Sequence, residues 1–187
     1  TAAMNATIAC AAPGSTFTFQ SGNHNGDIQI PAGKNNLTFL LKNDAHIIAN
    51  SPCFTVNGDY ITIKAENVLG ASCSPSSGSN GIEVVGARKN LVLEKFEIDG
   101  TNGANGIRFS GVMTDLVIAD LMIHKNPANG ILFDAAPAGT IDIHGNMFRD
   151  NTLKGIEAGT FTVPAEYNSW GSLAGPVAGD GISSGVD

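Results

Sequence analysis

Asp99, His124 and Arg149 follow one another at one constant spacing, an acid, an imidazole and a guanidinium in turn. Brought together, such a trio binds a carboxylated sugar or assists proton transfer. It serves equally as a ladder of compatible surface charges. Glu83 and Arg108 are separated by the same step, and their simplest reading is a cross-strand ion pair. A glycosidase needs two carboxylates about 5–9 Å apart across one glycosidic bond. If residues one repeat apart stack, Gln29, Thr55, Glu83, Arg108, Leu132 and Glu157 form one outward column. Its two glutamates then stand three coils apart, roughly 14 Å at about 4.8 Å per coil, which is too far. Val92, Val117 and Asp142 form a second outward column, and Glu94, Ala119 and His144 a third. Asp115, Asp120, Asp134 and Asp150 are scattered, which makes a weak Ca²⁺ site. Tyr167 and Trp170 are candidates for stacking on a sugar ring, or for capping the last coils.

These columns presuppose elements that repeat in register. The Gly-Ile pairs begin at Gly81, Gly106, Gly130 and Gly155, a nearly constant step that is the mark of a repeat architecture. Each is followed by an apolar–variable–apolar triplet, such as Ile107-Arg108-Phe109. A second such triplet follows, as in Leu116-Val117-Ile118, and then a third, as in Leu121-Met122-Ile123. Alternation over so few residues, bounded by Gly and Asn, reads as short half-buried strands. Three strands per repeat at constant register predict an all-β chain, a single-stranded right-handed parallel β-helix of about seven coils. Ile82, Ile107, Ile131 and Ile156 then form one inward stack, and Leu93, Ile118 and Ile143 another. Asn80, Asn105 and Asn129 mark one corner and Asn126 and Asn151 a second, where stacked side chains hydrogen-bond along the axis. The glycine after each corner Asn is expected to supply a positive φ.

The chain reads as one domain over 1–187. Residues 1–20 are expected to form an N-terminal cap, 21–163 the coils, and 164–187 a closing segment that is expected to continue in a longer protein. The stretch "VLGASCSPSSGS" is expected to bulge as a surface loop. Cys53 and Cys73, separated by about one turn of the repeat, can meet on adjacent turns as a disulfide, or lie buried as small hydrophobes. None of Cys10, Cys53 and Cys73 has metal-ligand spacing, so no metal is expected on their account.

The totals narrow the partners. Net charge of −7 argues against nucleic acid, whose binding rests on lysine and arginine against phosphate. With 42% hydrophobic residues and 14% charged, the chain is too apolar for disorder, and no apolar run approaches a membrane span. The opening "TAAMNATIAC" lacks the basic start and apolar stretch of a signal peptide.

The segment "AAPGSTFTFQSGNHNGDIQIPAGKNNLTFLL" resembles the opening of pectate-lyase-like, right-handed parallel β-helix proteins, and the Asn-Gly-Ile coils resemble their repeats. "AEYNSWGSLAGP", with Asn168, Gly171 and Pro176 around the aromatics, is similar to the segment that closes many secreted bacterial members. The resemblance implies an extracellular or cell-surface place. For function it is silent, because the fold hosts lyases, hydrolases, epimerases and non-catalytic surface proteins. Lyases of the family use an arginine or lysine base beside acidic Ca²⁺ ligands, and Arg108, Arg149, Lys125 and Lys154 match only by residue type. The hydrolase and epimerase signatures are absent. The expected function is therefore a non-catalytic scaffold or adhesin-like stalk with weak binding of polysaccharide or cell-surface glycan. The alternative is a lyase or hydrolase on an acidic polysaccharide. No cofactor is expected beyond a weak Ca²⁺ site, and an uncovered end coil would allow end-to-end self-association.

Overall fold

The computed structural model describes residues 2–76 and 78–171, and the backbone of 181–182. The chain forms a right-handed parallel β-solenoid of three sheets behind one short helix. Helix α1 (Ala2–Cys10) comes first. The first coil is β1 (Thr16–Phe19), β2 (Gly22–Asn25) and β3 (Ile28–Ile30). The second is β4 (Leu37–Leu41), β5 (Ala45–Ile48) and β6 (Phe54–Val56), and the third β7 (Ile61–Ala65), β8 (Ala71–Ser74) and β9 (Ile82–Val84). The fourth is β10 (Arg88–Glu94), β11 (Glu97–Asp99) and β12 (Ile107–Phe109). The fifth is β13 (Met113–Ala119), β14 (Met122–His124) and β15 (Ile131–Phe133). The sixth is β16 (Ala138–His144), β17 (Met147–Arg149) and β18 (Lys154–Glu157), and β19 (Gly181–Ile182) lies beyond it. The first, second and third strands of the coils build sheets A, B and C respectively, every pairing parallel.

Register follows the repeat. Ile82, Ile107, Ile131 and Ile156 are successive partners in sheet C, and Leu93, Ile118 and Ile143 in sheet A, all at most 1% exposed. The outward column Gln29–Thr55–Glu83–Arg108–Leu132–Glu157 runs along sheet C as expected. A coil alone cannot bury its inward side chains, so each closes the core of the next. The Asn corners form ladders: Asn80 Oδ1 accepts from the amide and side chain of Asn105, and Asn105 Oδ1 from those of Asn129. Asn151 Oδ1 does the same for Asn126. A third ladder, Asn146 to Asn168, was not anticipated.

Four expectations are corrected. The corner glycines at 81, 106, 130 and 155 are not in the left-handed region; that conformation falls to residues such as Lys95, Asp120 and Gly145, with φ of 70, 56 and 66°. Gly81, Gly106 and Gly130 are needed for close approach instead, because a Cβ at Gly106 would lie 2.6 Å from the carbonyl oxygen of Gly130 in the next coil, and the other two are as tight. The expected "VLGASCSPSSGS" bulge contains strand β8, whose Cys73 is fully buried and disulfide-bonded to Cys53 between coils two and three. The cap is α1, packed on β3, whereas β1, inside the expected cap of 1–20, already pairs with β4.

The fourth correction is the coil count. Among the described residues there are six complete coils, not seven. A seventh begins: Asn168 extends the Asn ladder, Ser169 bridges to Met147, and Trp170 stacks on Phe148 at 4.8 Å. The backbone of β19 pairs with β18 in sheet C. Among the described residues this coil has no strand in sheet A, where β16 is the last. The remainder of the closing segment, including Pro176, lies outside the described residues. No described helix is long and apolar enough to cross a membrane.

Candidate functional site

Sheet B carries the densest outward chemistry. Residues two apart on a strand share a face, so Glu97 and Asp99 of β11 both point outward, flanking the inward Ile98. In β14, paired in register, His124 stands opposite Asp99. The column Asp99–His124–Arg149 exists as a register, but its charges are paired otherwise. His124 Nε2 lies 2.5 Å from Glu97 Oε1, and the imidazole is 2% exposed, with Nδ1 buried and, among the described residues, without a partner. Asp99 is held by the Thr101 hydroxyl and amide and by Lys125, whose Nζ is 3.7 Å away. Arg149 turns to Asp150 at 3.3 Å. Desolvation raises the pKa of Asp99, but the Thr101 hydrogen bonds, His124 and Lys125 outweigh it and leave the carboxyl below its ordinary value.

On the same face, His46 Nδ1 is 2.7 Å from Ser72 Oγ, and Ser72 is the register neighbour of Glu97. Neither residue was singled out from the sequence. Glu97, Asp99 and His124 each place one ligand atom within 4.8 Å of the others. One imidazole and two carboxylates suit a borderline transition ion better than Ca²⁺, which takes six to eight oxygens. Here Lys125 already supplies countercharge to Asp99.

On sheet C, Arg108 sits between two acids. Its Nη1 is 3.6 Å from Glu83, the expected partner, but the closer contacts are from Nη2 and Nε to Asp134 Oδ2, at 2.7 and 2.9 Å. Asp134 follows β15 at the corner, one coil on from Arg108, and only the turn geometry aims it back. Burial raises the pKa of Glu83 above its ordinary value despite Arg108 and a hydrogen bond from Asn80. At Glu157 desolvation is outweighed by the Lys154 ammonium, 2.5 Å away, and the Gly159 amide, so its pKa is lowered.

Tyr167 and Trp170 separate. The Trp170 ring covers Phe148 as an inward side chain of the unfinished coil. Tyr167 is 87% exposed and borders a cleft of about 450 Å³ lined also by Ile141, Asp142, Ile143, His144, Pro164 and Glu166. His144 Nδ1 is 2.6 Å from Asp142 Oδ1 there. This cleft is where the sheet A strand of a seventh coil would lie, and Glu166 had given no signal in the sequence. No protein-family model, no curated protein and no solved structure matches this chain.

Proposed function

We propose that this chain is a non-catalytic β-helix module of a protein at the cell surface or outside the cell. Its work is that of a rigid scaffold or adhesin-like stalk with weak contacts to polysaccharide or cell-surface glycan. The observation that carries the reading is the state of the groups best suited to chemistry. His124 is buried and spent on Glu97, and Arg108 lies between Glu83 and Asp134. Arg149, Lys125 and Lys154 each face a carboxylate of this chain. A lyase needs a base open to the sugar, and a hydrolase an acid and a second carboxylate across one bond. The buried Cys53–Cys73 bridge supports an oxidising compartment. The parallel coils and Asn ladders support kinship with pectate-lyase-like proteins.

The test is incubation with pectin, polygalacturonate, alginate and neutral glycans, with and without Ca²⁺, following new reducing ends and the ultraviolet absorbance of unsaturated sugars. No turnover is expected on any of them. Turnover that is lost in Arg108→Ala or Arg149→Ala would make the chain a lyase or hydrolase of acidic polysaccharide.

A further inference from the structure

The inward column at the start of sheet A is sealed in four successive coils: Leu37, Ile61, Leu91 and Leu116 are at most 2% exposed. The fifth member, Ile141, is only half-buried, although it keeps register with Leu116. The cause is the seventh coil. After β18 the chain turns at Phe161, whose amide bonds to the Ala158 carbonyl, and buries Val163 and Ala165. It rejoins the repeat at Asn168 without laying a strand on β16. Among the described residues β16 is paired on the β13 side alone, so the backbone groups facing the other way form an open edge. That edge is the floor of the 450 Å³ cleft.

The cleft states what would fill it. A strand at about 4.8 Å would satisfy the edge and continue the parallel sheet. Alternate side chains of that strand would fall over Ile141, which asks for an apolar group, and beside Asp142, which asks for a cation. Glu166 adds a second carboxylate, and among the described residues neither lysine nor arginine lines the cleft. Asp142 is 51% exposed, with its own His144 to one side, and so remains open to a partner.

A second copy of this chain fits poorly. Two β16 edges brought together would set Asp142 and Glu166 against their own copies. At the other end, α1 stands on β3, and a helix about 10 Å across prevents β1 of another copy from closing to strand distance. We propose that the β16 edge docks one extended polypeptide strand of a different partner, parallel to β16, with an apolar side chain over Ile141 and a lysine or arginine against Asp142 and Glu166. This goes beyond the scaffold reading and does not depend on it.

The probe is a capped heptapeptide of alternating valine and lysine, titrated against the full chain by fluorescence anisotropy, with hydrogen exchange of residues 138–144 read in parallel. Saturable binding with slowed exchange at β16 is expected. Asp142→Asn combined with Glu166→Gln should weaken it at least ten-fold, and an alternating valine–glutamate peptide should not bind. The peptide contrast needs no variant and so stands whether or not the double substitution folds. Equal binding of an isomer with its valines and lysines in two blocks would reduce the effect to charge adsorption and overturn the docking strand. So would protection confined to other strands, slowed exchange at β16 in a peptide-free dimer seen by sedimentation, or β16 protection by oligosaccharide but not by peptide.

Discussion

Replacing Gly106 with alanine tests the reason for the Asn-Gly-Ile repeat. Gly106 does not have a positive φ, so its backbone suits alanine, and an argument from conformation alone predicts stabilisation of about 0.4–1 kcal/mol through the unfolded chain. The packing predicts the opposite. An added Cβ would stand 2.6 Å from both the Gly130 carbonyl oxygen and Ile123 Cγ2, where ordinary contact begins at 3.4 Å. That same carbonyl accepts the Ile107 amide at 2.8 Å, so the methyl presses on the bond that joins coils four and five. Relieving half of the overlap by separation would stretch this bond by about 0.4 Å, towards the limit of useful geometry. Overpacking costs about 1–3 kcal/mol, and the weakened hydrogen bond adds up to about 1.5. After the gain through the unfolded chain, about 2 kcal/mol of destabilisation remains. For a chain of this size that lowers Tm by about 4–8 °C. Differential scanning calorimetry and equilibrium urea unfolding measure it. An unchanged or raised Tm would refute close approach as the reason for the glycine.

Ile107→Ala should cost about 2–5 kcal/mol in urea unfolding, because the strands above and below hold the cavity open. Replacing both Cys53 and Cys73 with serine releases a 20-residue separation and should lower stability by about 3 kcal/mol, whereas serine at the exposed Cys10 should leave it within about 0.5. Because the pKa of Asp99 is lowered on folding, its stabilising contribution is complete above the unfolded value near 3.8 and fades as pH falls through the lower folded value. Asp99→Asn should therefore be the less stable protein at neutral pH, with the gap closing below about pH 4 in thermal melts across pH. A gap that persists unchanged to pH 2 would remove the carboxylate as its cause.

The period, the three strands per coil and the inward and outward columns were legible because each follows from local rules applied repeatedly. Side chains alternate along a strand, and coils of nearly constant length set equivalent residues above one another. The Ile82–Ile156 stack and the Gln29–Glu157 column needed nothing further. The pairing of Glu97 with His124 was within reach, since Glu97 shares a face with Asp99, but an imidazole 2% exposed at an outward position was not. Arg108 shows the same division: register sets it beside Glu83, yet the turn after Phe133 brings Asp134 closer. The role of the corner glycines was hidden as well, because spacing shows where a glycine recurs but not how near the next carbonyl comes. The sequence by itself determined which residues share a column. Only the tertiary structure decided which groups touch, which are sealed from water, and that among the described residues β16 is paired on one side alone, since those depend on distances between coils that repeat spacing does not contain.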